Sequence, residues 1–150
     1  MVVPARQRGN FPARVTNLEL EPPIKEAHQE TILVVDDEES VAKMTQRSLL
    51  SLGYRAEFVL DAESALARCR SQEGQAPVDL VLTDLTMPKM TGLELVQSLR
   101  ACGDGVPVML CTGHLAGDLP PGLAPVEVLM KPFSRDALAQ SVKRLLAKLT

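Results

Sequence analysis

Thr31-Ile32-Leu33-Val34-Val35-Asp36-Asp37-Glu38-Glu39 is the stretch on which the fold turns. Ile32 to Val35 form a short apolar run without alternation, the pattern of a strand buried on both faces. Four acids follow at once, and negative charge suits the positive end of a helix that begins there. Val41, Met44, Ser48 and Leu52 then recur at helical spacing, and Gly53 supplies a stop. A buried strand, an acidic turn and an amphipathic helix make the first half of a βαβ unit.

The unit repeats along the chain. Glu57–Leu60 reads as a second strand, followed by Asp61 as a helix cap and a stripe of Ala62, Ala65, Leu66 and Cys69. After a loop over 72–77, Asp79–Thr83 reads as a third strand that runs into Asp84, and Leu93, Val96 and Leu99 mark the next helix. Val106–Cys111 is the fourth strand, with Pro107 at its start, where a missing N–H costs least. Val126–Met130 is the fifth, and Ser134 caps a last helix whose stripe is Leu138, Val142, Leu145 and Leu149. Apolar strands alternating with helices imply an α/β fold, a doubly wound five-stranded parallel sheet covered on both faces. Right-handed crossovers leave the order 2-1-3-4-5 as the natural one at this size.

Ligands of such sheets bind beyond the carboxyl ends of the strands, at the switch point between the first and third. Asp36 and Asp37 follow strand one, Asp84 follows strand three, Thr112 strand four and Lys131 strand five. Each alone has an ordinary role: a helix cap, a polar strand end, a solvated lysine. Together they bring three carboxylates, a hydroxyl and an ammonium to one rim. Clustered carboxylates repel and call for a cation, and an oxygen-only set suits Mg²⁺ or Mn²⁺ rather than zinc. A metal, a carboxylate nucleophile and a lysine are equipment for phosphoryl transfer.

Composition narrows the alternatives. The chain has 150 residues, 45% of them hydrophobic, and a net charge of −3, enough for one domain with a real core. Arg6, Arg8 and Arg14 stand in the first 18 residues without an acid, so the other 132 carry −6. That balance, with three Phe, one Tyr and no Trp, argues against a nucleic-acid surface. Three cysteines, Cys69, Cys102 and Cys111, lack the spacing of a disulfide framework or a zinc site. No apolar run approaches the roughly 20 residues of a membrane helix, and no signal-peptide pattern opens the chain, so a cytoplasmic location without membrane insertion is expected. Pro4, Pro12, Pro22, Pro23 and Gly9-Asn10 mark residues 1–30 as a flexible tail or linker, leaving residues 31–150 as the domain.

Four segments in order resemble the receiver domain of the response regulators of two-component phosphorelays. They are Val34-Val35-Asp36-Asp37-Glu38, the run from Asp84 through Met87-Pro88-Lys89-Met90 to Gly92, Cys111-Thr112-Gly113, and Lys131-Pro132-Phe133. The resemblance implies a flavodoxin-like fold and a signalling rather than enzymatic role. Asp84 would be the phosphoacceptor, taking a phosphoryl group from a phosphohistidine on a histidine kinase or histidine phosphotransfer protein. Asp36, Asp37, Asp84 and the backbone carbonyl of Thr86 would hold Mg²⁺. Thr112 and Lys131 would bind the phosphoryl group and report its arrival to a downstream protein target, and Lys131–Pro132 would be a cis peptide. Thr86 and His114, two residues past the acceptor and the switch threonine, are the positions where receivers tune phosphoryl lifetime.

Two departures stand out. The segment 113–125 carries three prolines and three glycines where receivers have their fourth helix, so a short or distorted helix, or a loop, is expected. Val128 occupies the position, three before the lysine, where many receivers carry an aromatic that moves with the threonine. The lead-in Gln29-Glu30-Thr31 also suits a receiver fused behind a hybrid histidine kinase. A haloacid-dehalogenase-like phosphatase, which shares the Asp, Mg²⁺ and lysine, requires a second Asp two residues after the nucleophile, where this chain has Thr86 or Glu38.

Overall fold

A computed structural model describes residues 29–71, 74–114 and 117–148. The expected tail falls outside the described residues but for Gln29 and Glu30. The elements are β1 (Thr31–Val35), α1 (Glu39–Ser51), β2 (Arg55–Val59), α2 (Ala62–Arg70), β3 (Leu80–Asp84), α3 (Gly92–Ala101), β4 (Val108–Thr112), β5 (Val126–Met130) and α4 (Arg135–Ala147). The strands form one parallel sheet in the order β2-β1-β3-β4-β5. This is the expected doubly wound topology.

Alternation along the central strands explains the two-sided burial. Ile32 and Val34 of β1 face a core layer built with Ala42 and Leu49 of α1 and Leu138, Val142 and Leu145 of α4. Leu33 and Val35 face the other layer, with Ala65 and Leu66 of α2 and Leu95, Val96 and Leu99 of α3. No residue from Ile32 to Val35 is more than 1% exposed, so a polar substitution there would bury an unpaired group on either face.

Several boundaries and faces differ from the sequence reading. β4 starts at Val108 rather than Val106: Pro107 has no N–H to give, although its carbonyl accepts from Val81 N. In α1 the buried side chains are Ala42 and Leu49, whereas Met44 is 65% exposed. The small Ala42 lets the helix sit close to the sheet, which turns the Val41–Met44 flank outward. In α3, Leu95 is the core residue and Leu93 lies half-buried on the flank. The α2 stripe is as expected, and so are Leu138, Val142 and Leu145 of α4, while Leu149 lies outside the described residues.

Among the described residues the β4–β5 connection holds no helix, so of the expected short or distorted helix, or loop, it takes the loop. Its Gly117 and Gly122 adopt φ near +83°, a conformation costly to other L-residues.

Candidate functional site

The parallel strands all present their carboxyl ends on one rim, and the anticipated residues meet there. Asp84, the last residue of β3, has a side chain 16% exposed, and Lys131 Nζ lies 3.4 Å from its Oδ2. Lys131 Nζ also stands 3.9 Å from Asp36 Oδ2. One carboxylate oxygen each from Asp36, Asp37 and Asp84 lie within 4.8 Å of one another. Asp36 is buried, Asp84 half-buried and Asp37 exposed, so the cluster opens to solvent on one side.

Backbone amides orient two of the acids. Asp36 Oδ1 accepts from Glu38 N at 3.0 Å, and Asp84 Oδ1 accepts from Thr86 N at 3.2 Å. Burial pushes the Asp36 carboxyl above its ordinary value. The negative charges of Asp84 and Asp37 push the same way, against the Glu38 amide and the Lys131 ammonium. A divalent ion would relieve this frustration: three hard carboxylates face one ammonium, and the cluster contains no sulfur or imidazole donor. The donor set therefore fits Mg²⁺ or Mn²⁺.

Thr112 closes β4 and is 4% exposed. Its Oγ1 donates to the His114 carbonyl at 2.8 Å and accepts from His114 N at 3.1 Å, while its own carbonyl accepts from Lys131 N at 2.8 Å. The Thr112 hydroxyl is thus held by its own loop rather than by Asp84. Thr86 and His114 are exposed beside the site. Lys131–Pro132 is cis, as the family resemblance implied. Beneath the rim, burial raises the Cys111 thiol to about 12, which leaves it an inert core residue.

The loop after Asp84 is tightly built. Met87 is buried, Met90 N donates to Pro88 O across a tight turn, and Lys89 at its centre has φ 70°. Thr91 then opens α3 with a reciprocal capping box to Glu94. Gly92 has a role that sequence reasoning left unassigned. A Cβ there would lie 2.4 Å from the Asp84 carbonyl oxygen and 3.0 Å from Leu85 Cα. The signal was present, since Gly92 closes the motif begun by Asp84, but a close backbone approach is invisible in one dimension.

Fold and site together define a flavodoxin-like α/β domain with three carboxylates and a lysine at its switch point. The family model for the response regulator receiver domain matches residues 32–143, and the chain belongs to that family, the receiver domains of two-component signalling. The response regulator MprA of Mycolicibacterium vanbaalenii is 34% identical over 122 residues, which cover 79% of this chain and 51% of that protein. The C4-dicarboxylate transport transcriptional regulatory protein DctD of Rhizobium meliloti is 29% identical over 119 residues, 76% of this chain and 25% of that protein. The chain thus spans about half the length of the first relative and a quarter of the second. Among solved structures, the Vibrio cholerae chemotaxis protein CheY4 aligns with a TM-score of 0.69 at 28% identity, covering 79% of this chain and 99% of that one. The receiver domain of the hybrid histidine kinase CckA aligns at 0.64 with 31% identity, covering 77% and 98%.

Proposed function

We propose that this domain accepts a phosphoryl group on Asp84 from a phosphohistidine of a histidine kinase or histidine phosphotransfer protein, and that the phosphorylated state alters binding to a downstream protein. The observation that carries the reading is the convergence of Asp36, Asp37, Asp84 and Lys131 within ion-pair or ligand distance at the sheet's switch point. In the transfer, an Asp84 Oδ forms the new bond to phosphorus, the bond from phosphorus to the donor's imidazole nitrogen breaks, and that nitrogen keeps the electron pair and takes a proton. Asp36, Asp37, Asp84 and the Thr86 carbonyl would hold Mg²⁺ or Mn²⁺, which supplies positive charge against the phosphoryl oxygens.

The chain's own groups do the rest. Lys131, already 3.4 Å from Asp84, pairs with a phosphoryl oxygen. Thr112 exchanges its bond to the His114 carbonyl for one to another phosphoryl oxygen. The Glu38 and Thr86 amides keep Asp36 and Asp84 aimed. An apolar groove of about 500 Å³ beside Lys131, lined by Val41, Met44, Phe133 and Leu138, gives a protein donor a surface next to the acceptor.

Asp84 itself carries the phosphoryl group, so the domain is a signalling element that catalyses only its own phosphorylation and dephosphorylation. Thr86 stands where a haloacid-dehalogenase-like phosphatase would need its acid/base Asp, which disfavours that chemistry. The same transfer serves a free response regulator or the receiver of a hybrid kinase, and likeness to the CckA receiver supports the second context. Among the described residues no helix is long and apolar enough to cross a membrane, which is consistent with the proposed cytoplasmic site of action. The test is intact-mass analysis after incubation with Mg²⁺ and acetyl phosphate. Wild type gains one phosphoryl group, and Asp84→Asn gains none. A wild-type chain that stays unmodified contradicts the reading.

A further inference from the structure

The β4–β5 connection raises a physical problem, because its irregular backbone cannot satisfy its own carbonyls as a helix would. Pro120, Pro121 and Pro125 also remove N–H donors from it. Arg100, in the last turn of α3, supplies the missing partners. Its Nε donates to Leu123 O at 2.9 Å, its Nη2 to Pro125 O at 3.0 Å and its Nη1 to Asp104 O at 2.8 Å. The Pro125 carbonyl also accepts from Val108 N at 3.1 Å, so the same point is tied to β4. Leu123 is 7% exposed, packed in the core layer that includes Leu99 and Val108. A planar guanidinium can meet three carbonyls in fixed directions, which an ammonium cannot do.

The near end of the connection is held differently. There, among the described residues, the hold is the pair of hydrogen bonds between Thr112 Oγ1 and His114, and the one donated to the His114 carbonyl is the bond that the hydroxyl gives up. The Thr112 carbonyl stays fixed by Lys131 N, so the hydroxyl can change partner without pulling β5. Val128, half-buried on β5, offers no aromatic lever.

We infer that Arg100 is an anchor that stops the response to phosphorylation before Leu123, so that the surface altered by the signal lies around His114 and β5 keeps its resting structure. The inference rests on the reading of Asp84 as phosphoacceptor and adds where its signal travels. Arg100 is a positioning residue, remote from the acceptor, and its substitution leaves phosphoryl uptake in place.

The test is residue-resolved amide hydrogen exchange on the full chain, with and without Mg²⁺ and beryllofluoride as the phosphoryl mimic. In wild type, exchange changes at residues 112–114 and not at 123–129. In Arg100→Ala and in Arg100→Lys, the change spreads to 123–129. Resting exchange there also rises by about tenfold or more, the equivalent of one lost hydrogen bond to a charged group, while β1 and β3 amides stay protected. Arg100→Lys keeps the charge and one donor direction, so it reports even where Arg100→Ala fails to fold. A wild-type response that already reaches 123–129, or variants that keep the wild-type footprint, overturns the inference alone. A wild type with no response at 112–114 overturns the phosphoacceptor reading, and the anchor role with it.

Discussion

Gly92→Ala offers the sharpest test of how Asp84 is held. In most helices this exchange is stabilising, by up to about 1 kcal/mol. Here the added Cβ would lie 2.4 Å from the Asp84 carbonyl oxygen, where real contacts stay beyond 3.0 Å, and its other neighbours, Leu85 Cα and Asp84 C, are also backbone. Nothing flexible can yield, so the start of α3 and the end of β3 must part by at least 0.6 Å, the difference between those distances. Such overpacking costs about 1–3 kcal/mol. The same movement strains the hydrogen bond from Gly92 N to Leu85 O, now 2.9 Å, worth about 1 kcal/mol. Set against the propensity gain, the net loss is about 1–3 kcal/mol. Urea unfolding of Gly92→Ala is expected to show a lower midpoint at unchanged slope. Phosphoryl uptake should also slow about tenfold or more, because Asp84 moves with its carbonyl. Gly105→Ala, where an added Cβ meets nothing within 4 Å, is the control and should be neutral or slightly stabilising. A Gly92→Ala chain as stable as wild type, with uptake at the wild-type rate, refutes the reasoning.

Three further outcomes follow from the same geometry. Without divalent ions, Asp36→Asn raises the thermal midpoint by about 2–4 °C, because it removes a buried, crowded charge yet keeps an acceptor for Glu38 N. Millimolar Mg²⁺ then stabilises wild type and leaves the variant almost unmoved, and equal Mg²⁺ shifts in a thermal-melt comparison would sink the assignment. Arg68 bonds both Glu57 carboxylate oxygens, at 2.7 and 2.9 Å, and holds that carboxyl below its ordinary value. The stability from this pair is present above the unfolded carboxyl's value of about 4.3 and is lost as pH falls through the lower folded value. Glu57→Gln therefore flattens stability on the acid side of about pH 5, by less than about 1 kcal/mol for a side chain 44% exposed, as read from melts across pH. His114→Ala leaves transfer to Asp84 intact and shortens the aspartyl-phosphate half-life several-fold by opening the approach of water. An unchanged half-life removes His114 from lifetime control.

How far the sequence carried this account depended on the kind of interaction. Ile32–Val35 was legible because burial on both faces of a parallel strand demands an unbroken apolar run. The α2 stripe and the Asp61 and Ser134 caps were legible because their partners lie within a few residues. The rim of Asp36, Asp37, Asp84 and Lys131 could be assembled from strand ends alone, since topology turns four distant positions into one place. The phase of α1 was not legible. Val41 and Met44 are more apolar than Ala42, and only the tight approach of helix to sheet favours the smaller residue. The bonds from Arg100 to Leu123 and Pro125 span 23 and 25 residues, and no local pattern announces them. The Thr112–His114 hydrogen bonds are local, yet they depend on a backbone conformation that proline and glycine counts could mark only as a short or distorted helix or a loop.

The central claim is that the convergence of Asp36, Asp37, Asp84 and Lys131 makes Asp84 an acceptor of phosphoryl groups. The most direct measurement is reductive trapping. The full chain is treated with Mg²⁺ and acetyl phosphate, reduced with borohydride, digested and mapped by tandem mass spectrometry. An acyl phosphate is reduced to the alcohol, so the account predicts homoserine at residue 84, lost when Mg²⁺ is chelated and absent from positions 36 and 37. Homoserine at another aspartate, or none at residue 84 in a Mg²⁺-supplied wild type, would contradict it.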